Sequence, residues 1–356
     1  MGFDPSRPDI HLGHVVGLRK LRQLQDLGHQ LILIVGDWTA QIGDPSGRSA
    51  TRPMLTHEEV MENAQSYLRQ FFKVVDRDRA QVVYQSEWFG KFSLADVIGL
   101  TGRFTVAQFL ERDDFAKRFA EHRPIAITEL LYPLLQAYDS VAIQSDVEFG
   151  GTDQMFNLLV GRELQEMMGQ RAQQCFLMPI LVGTDGVQKM SKSLDNYVGV
   201  EEAPDDMFGK IMSLPDEFIV SYFEYLTDAP VEGQTVNPMD LKKRLAEEIT
   251  EVFHDQQAAA AARDRFERVV QQRSLPDDMP VVSLSTVSGP RWSNALVSAG
   301  LVSSVSDGKR MINQGAVELF PPSGQSLKIT EDGRFEAPEP GTAVKVGRRR
   351  FASFQE

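Results

Sequence analysis

The chain reads as an α/β protein with an open parallel-sheet domain first, a helical segment next, and a small mixed α+β domain at its C-terminal end. Three observations predict this. Leu31-Ile32-Leu33-Ile34-Val35 is an unbroken apolar run ending at Gly36-Asp37, as expected of a parallel strand buried on both faces. Before it, Leu12, Val15, Leu18, Leu21 and Leu24 recur at a roughly helical spacing that stops at Gly28, so helix leads into strand in βαβ order. From about Ala203 the chain turns helical, and after Pro290 a helical stretch gives way to short strands.

With 356 residues, 42% hydrophobic and 24% charged, the chain can bury a sizeable core in two or three domains. Its one cysteine, Cys175, excludes an internal disulfide and suggests a reducing cytoplasm. No signal peptide pattern follows Met1, and no apolar run approaches the roughly 20 residues of a membrane span. The net charge of −13 argues against general polyanion binding. It is unevenly spread: from Pro290 onward nine Lys and Arg face seven Asp and Glu, a balance of +2 that leaves −15 for the rest.

Near the start, Gly2-Phe3-Asp4-Pro5-Ser6-Arg7-Pro8-Asp9-Ile10-His11-Leu12-Gly13-His14 runs from a turn marked by Gly2 and Pro5 into the first helix. The spacing puts both histidines in its first turn, where unpaired N–H groups and the positive dipole end favour phosphate oxygens. Imidazoles can donate to those oxygens, and Gly13, lacking a Cβ, lets a base or ribose approach. A bare H-x-G-H also fits two histidines on a surface helix, while a zinc site would need further His or Cys ligands. Far downstream, Lys189-Met190-Ser191-Lys192-Ser193 sets two lysines among hydroxyls in a Gly-, Asp- and Ser-rich loop. That is a cationic clamp for a polyphosphate or, taken alone, a solvated basic loop.

Together the two elements resemble the paired signatures of class I aminoacyl-tRNA synthetases. The residues between them are similar to the bacterial tyrosyl members, over essentially the whole chain. The resemblance implies a Rossmann-like catalytic domain over 1–200, with a connecting insertion near 101–123 that forms a homodimer interface. It further implies a helical anticodon-side domain over 201–275, a linker over 276–289 and an S4-like RNA-binding domain over 290–356. The implied activity is tyrosine–tRNA ligation in the cytoplasm, with tyrosine, ATP and tRNA(Tyr) as substrates. Mg²⁺ would arrive with ATP, and no resident metal or prosthetic group is expected.

The resemblance also assigns residues. His11, His14, Lys189 and Lys192, with Arg48 and Arg52 of the Gly43-Asp44-Pro45-Ser46-Gly47 loop, would stabilise the departing phosphates. Asp4, Ser6, Gly13, Gly151, Asp153, Met190 and Ser191 would line the ATP site, with Asp153 and the Gly151 backbone on the ribose and Ser6 near the γ-phosphate. Asp44, Tyr132 and Gln136 would hold the tyrosine ammonium, Asp139 its phenol hydroxyl, and Gln154 would lie beside the carboxyl. Spacing alone makes Tyr132, Gln136 and Asp139 (i, i+4, i+7) share one helix face, which suits a pocket floor or a partly exposed rim equally. Phe149-Gly150-Gly151-Thr152-Asp153-Gln154 follows the next predicted strand and, taken alone, is also a plain turn. A buried carboxylate opposite a phenol is left unpaired beneath phenylalanine, so Asp139 would name the amino acid.

Farther on, Asn237-Pro238 suits an N-cap and first helical residue, and Leu241, Leu245, Ile249, Val252 and Phe253 form a stripe read as core packing. Ser274-Leu275-Pro276-Asp277-Asp278-Met279-Pro280 breaks the helix. In the last domain Lys309, Arg310, Arg348, Arg349 and Arg350 would meet RNA phosphates, although a small basic structural domain fits the same pattern. Three departures from the family stand out. The strand expected before Gly2-Phe3-Asp4-Pro5 is missing, Ala40 replaces a glycine, and Gly17 replaces a hydroxyl. Another HxGH-type nucleotidyl transferase and a non-catalytic tRNA- or RNA-binding relative are the rival readings.

Overall fold

In the computed structural model, strand β1 (Gly2–Phe3) lies parallel to β2 (Leu31–Val35), and helix α1 (Leu12–Asp26) makes the crossover between them. Met1 extends the pairing, its amine donating to the Ile32 carbonyl at 3.0 Å and its carbonyl accepting from the Ile34 N–H. Met1 to Phe3 therefore form the strand that runs beside β2 and leads into Asp4. The structure describes all residues except 6–9, 45–54, 231–236, 272–274, 276–278 and 348–349. Two units emerge, Met1–Ala259 and Ala260–Glu356.

Helix α1 buries Leu12, Val15, Val16, Leu18 and Leu21, and the chain turns away at Gly28, whose φ of +88° suits glycine. Helices α2 (Thr39–Ile42) and α3 (His57–Phe71) lead to β3 (Ala80–Tyr84), which completes the parallel order β1-β2-β3. Then come α4 (Ser86–Phe89), α5 (Leu94–Thr101), α6 (Val106–Leu110), α7 (Asp113–Ala120) and α8 (Ile127–Ile143). A second parallel pair follows, β4 (Val147–Gly151) and β5 (Gln174–Met178), with α9 (Met155–Met167) as its crossover. Phe149, Gly150 and Gly151 lie inside β4 rather than after it. Phe149 stacks on Phe176 at 4.9 Å, and both glycines stay in the ladder opposite Leu177 and Met178.

Leu134, Ala137 and Val141 of α8 pack on Val160 and Leu164 of α9, and Phe104, Phe109 and Phe115 close the same core. This packing fixes the helix that carries Tyr132, Gln136 and Asp139.

The helical stretch consists of α10 (Pro204–Ile211), α11 (Ile219–Leu226) and α12 (Pro238–Phe253), all within the first unit, followed by α13 (Gln256–Phe266). Asn237 caps α12 by accepting the Met239 N–H at 3.0 Å, and Pro238 takes the first helical position. Its buried arc is Leu245, Ala246, Ile249, Thr250 and Phe253. Val252, read as core, is instead 49% exposed, because that arc is centred toward Ala246 and leaves Val252 at its edge.

The second unit contains β6 (Val281–Ser283), α14 (Trp292–Ser298), α15 (Val305–Asn313), β7 (Val317–Phe320), β8 (Leu327–Ile329), β9 (Ala343–Val346) and β10 (Arg350–Gln355). Its sheet order is β6-β10-β9-β7-β8, antiparallel apart from the β6–β10 pair. Leu296, Leu301, Ile312, Val317, Val344 and Phe354 form its core.

Leu33 is fully buried at the centre of β2. Leu33→Ala should lower stability by about 2–5 kcal/mol, read as a lower urea midpoint at unchanged slope.

Candidate active site

The histidine motif builds its own helix cap. His11 is the N-cap of α1, not a residue of its first turn, and its Nδ1 accepts the Gly13 N–H at 3.2 Å. His14, the third helical residue, uses Nδ1 to accept the His11 N–H, also at 3.2 Å. In a neutral ring the proton then sits on Nε2, leaving that atom as a donor. The rings are 4.1 Å apart. Burial holds the His11 pKa well below its usual value, helped by His14, Lys192 and Lys189; burial also brings His14 to about 4, with Lys192 acting in the same direction. At neutral pH the helix therefore presents two uncharged Nε2–H donors. A Cβ on Gly13 would lie 3.0 Å from the His11 ring, so a larger residue there would press on the ring that makes the cap.

The segment that follows the lysine loop is bonded to this helix start. His11 forms a β-bridge with Gly199, the Leu12 N–H donates to the Val198 carbonyl at 3.0 Å, and the Val200 N–H donates to the Ile10 carbonyl at 3.3 Å. Lys189 donates from Nζ to Asp153 Oδ2 at 2.8 Å, and Lys192 lies over the Tyr197 ring at 5.7 Å. Met190 is buried, whereas Ser191 and Lys192 are half-buried. A Cβ on Gly151 would lie 2.6 Å from Asp153 Oδ1, so a larger residue there would make that carboxylate turn aside. The carboxylate expected to accept the ribose hydroxyls thus already holds a lysine, on Oδ2.

Four other carboxylates face the same space. Asp4 accepts from the Tyr132 hydroxyl at 2.8 Å and from Thr39 Oγ1 at 2.7 Å. Asp44 accepts from Gln154 Nε2 at 2.5 Å. Asp139 accepts from Gln85 Nε2 at 2.7 Å and Trp88 Nε1 at 3.2 Å. Glu148 accepts from Gln136 Nε2 at 3.2 Å, from Ser140 Oγ at 3.0 Å and from Gln173. Burial raises the Asp139 pKa well above the usual carboxylate range, against the pull of the Gln85 hydrogen bond. Burial likewise raises Glu148, and burial followed by the Asp4 charge raises the Tyr132 phenol.

One cavity of ≈ 400 Å³ brings these groups together. Asp4, His11, Gly13, His14, Asp44, Tyr132, Gln136, Asp139, Gly151, Asp153, Gln154, Lys189, Met190, Ser191 and Lys192 all line it. Ser6, Arg48 and Arg52 lie outside the described residues, as do Arg348 and Arg349. Sequence reasoning missed Gln85, Trp88 and Glu148. Gln85-x-x-Trp88 had a signal, since it directly follows β3 at the carboxyl edge where open α/β sheets bind ligands. Glu148 had a weaker one, a charge set between Val147 and Phe149 inside a strand.

The predicted RNA residues lie in the second unit. Lys309 is exposed, and Arg310 is ion-paired with Asp307. Arg350 donates to the Leu301 carbonyl at 2.7 Å and lies 3.6 Å from Asp307. Among the described residues no three His, Cys, Asp or Glu side chains gather as a metal site, and no helix is long and apolar enough to cross a membrane.

The depressed imidazoles have a consequence for stability. Between pH 6.5 and about 4 the unfolded chain takes up protons at His14 that the folded chain refuses, so stability falls as pH falls through this window. In His14→Gln the decline of the urea midpoint across that range should be shallower; an unchanged slope would show that His14 titrates freely.

Residues 1–271 match the family model described as tRNA synthetases class I (W and Y). A tyrosine–tRNA ligase of Dehalococcoides mccartyi is 57% identical over 99% of this chain and 89% of its own length; one from Thermotoga maritima is 51% identical over 99% and 88%. Among solved structures, a C-terminally truncated mitochondrial tyrosyl-tRNA synthetase of Aspergillus nidulans superposes with a TM-score of 0.63 at 21% identity, covering 75% of this chain and 84% of that one. The Archaeoglobus fulgidus tyrosyl-tRNA synthetase complexed with L-tyrosine gives 0.58 at 25% identity, covering 74% and 88%. The chain belongs to the class I tRNA synthetases, and within them to the bacterial tyrosine–tRNA ligases.

Proposed function

We propose that this chain activates tyrosine with ATP to tyrosyl-adenylate and transfers the tyrosyl group to tRNA(Tyr). The observation that carries the reading is the single cavity in which two neutral Nε2–H donors and two lysines meet a carboxylate-lined recess. The carboxylate of tyrosine attacks the α-phosphorus, the bond to the bridging oxygen breaks, and pyrophosphate leaves. No protein nucleophile is required; the rate comes from alignment and from stabilising charge on the departing phosphates.

His11 and His14 donate from Nε2, and Lys189 and Lys192 add positive charge, with Ser6, Arg48 and Arg52 assisting. Asp153 accepts from the ribose once Lys189 exchanges it for a phosphate oxygen. Asp4, Gly13, Gly151, Met190 and Ser191 complete the ATP site, and Mg²⁺ enters with the nucleotide. Asp44, Tyr132 and Gln136 take the tyrosine ammonium, and Gln154 stands beside the carboxyl. Asp139, oriented by Gln85 and Trp88, meets the phenol hydroxyl.

The enzyme works in the cytoplasm as a homodimer. Leu94, Ile98, Val106, Phe119 and Ile127, all exposed on α5 to α8, supply apolar surface for a two-fold interface near the 101–123 insertion. The helical segment over 201–275 faces the anticodon side. Residues 290–356 bind tRNA through Lys309, Arg310, Arg348, Arg349 and Arg350.

Tyrosine-dependent ATP–pyrophosphate exchange is the test, with phenylalanine and tryptophan as controls. Exchange should occur with tyrosine alone; a folded chain that binds tRNA without exchange would favour the non-catalytic relative. His14→Ala or Lys189→Ala should lower exchange by about 10²–10³-fold while tyrosine affinity changes little. Equal loss in both would overturn the assigned roles.

A further inference from the structure

The loop that presents Lys189 and Lys192 is exposed along much of its length, yet its neck is built around one buried amide. Asn196 is 2% exposed. Its Oδ1 accepts the Ser191 N–H at 2.8 Å. Its Nδ2 donates to the Lys189 carbonyl at 3.1 Å and to Asp185 Oδ2 at 3.0 Å, with the Gln188 carbonyl farther off at 3.5 Å. The Asn196 carbonyl accepts the Thr184 N–H at 2.9 Å, so both sides of the neck converge on this residue. Gly183 makes room for it, since a Cβ there would lie 2.3 Å from Nδ2. Asp185 in turn accepts the N–H groups of Val187 and Gln188, tying the outer turn to the same centre.

Two residues beyond Asn196 the chain becomes the segment bonded to the start of α1, through Val198, Gly199 and Val200. Asn196 therefore connects a backbone registered against the histidines to the stretch that carries the two lysines. We propose that Asn196 is a positioning residue for adenylate formation, holding the Lys189–Ser191 backbone at a set distance from His11 and His14. It touches no substrate in this role. It needs both amide groups, because one face accepts from Ser191 while the other donates to Lys189 and Asp185.

The inference rests on the proposed activation reaction, and its test has one arm that needs no catalysis. Asn196→Asp keeps the acceptor for Ser191 but sets oxygen against Asp185 Oδ2 and the Lys189 carbonyl; Asn196→Asp combined with Asp185→Asn restores a donor–acceptor pair between the two side chains. Amide hydrogen exchange over residues 187–193 should be faster in Asn196→Asp and slower again in the double variant, with tyrosine affinity, measured by equilibrium dialysis, kept in both. The turnover of ATP–pyrophosphate exchange should fall by about tenfold or more in the single variant and recover by about threefold or more in the double. Unchanged hydrogen exchange in the loop overturns the proposal, and so does a loss of tyrosine binding that parallels the loss of turnover. Absence of pyrophosphate exchange in the unaltered chain counts against the activation reaction, while loop hydrogen exchange still decides what Asn196 holds.

Discussion

The pairing of residues 10–12 with residues 198–200 is the constraint on which the rest of the site depends. It is a small contact, one antiparallel β-bridge made of two backbone hydrogen bonds. It joins stretches nearly two hundred residues apart in the chain, and each of them leads into one half of the donor set, neutral imidazoles on one side and lysines on the other. His11 belongs to one partner and His14 lies just beyond it, while the lysine loop lies just before the other. Because the contact is made by backbone, side-chain freedom does not loosen the distance between the halves. A helix start alone attracts anions weakly, and an exposed lysine loop alone is solvated. Held together over one cavity, they become a preorganised set of donors.

The electrostatics of that cavity are divided between neutral and charged groups. Burial keeps the two imidazoles uncharged, so they donate without adding to the repulsion between Lys189 and Lys192. Glu148 and Asp139 are buried acids whose oxygens are covered by amide, hydroxyl and indole donors. Asp153 and Lys189 are more exposed and satisfy one another at little cost.

Rigidity is supplied by the core below the site. Helix α8 carries Tyr132, Gln136 and Asp139 on one face and packs Leu134, Ala137 and Val141 against α9 on another. The aromatic residues of the insertion close that core, so the surface proposed for self-association and the floor of the cavity share one packed layer. Gln154 is held from α9, whose Asn157 donates to it at 3.0 Å. The second unit keeps a separate core of its own.

Local pattern determined the elements. The apolar run of β2, the stripe and terminal glycine of α1, the Asn237-Pro238 start of α12 and the two signature motifs were all legible, because each is written in neighbouring residues. The i, i+4, i+7 spacing likewise placed Tyr132, Gln136 and Asp139 on one face. Tertiary structure alone decided what those residues touch: that Lys189 rests on Asp153, that Gln85 and Trp88 orient Asp139, that Glu148 sits beneath Gln136, and that Val252 falls at the edge of its buried arc. The physical reason is that a helix or strand is set by spacing along the chain. A buried hydrogen bond is set by which distant segments desolvate the same volume, and no short stretch of sequence contains that information.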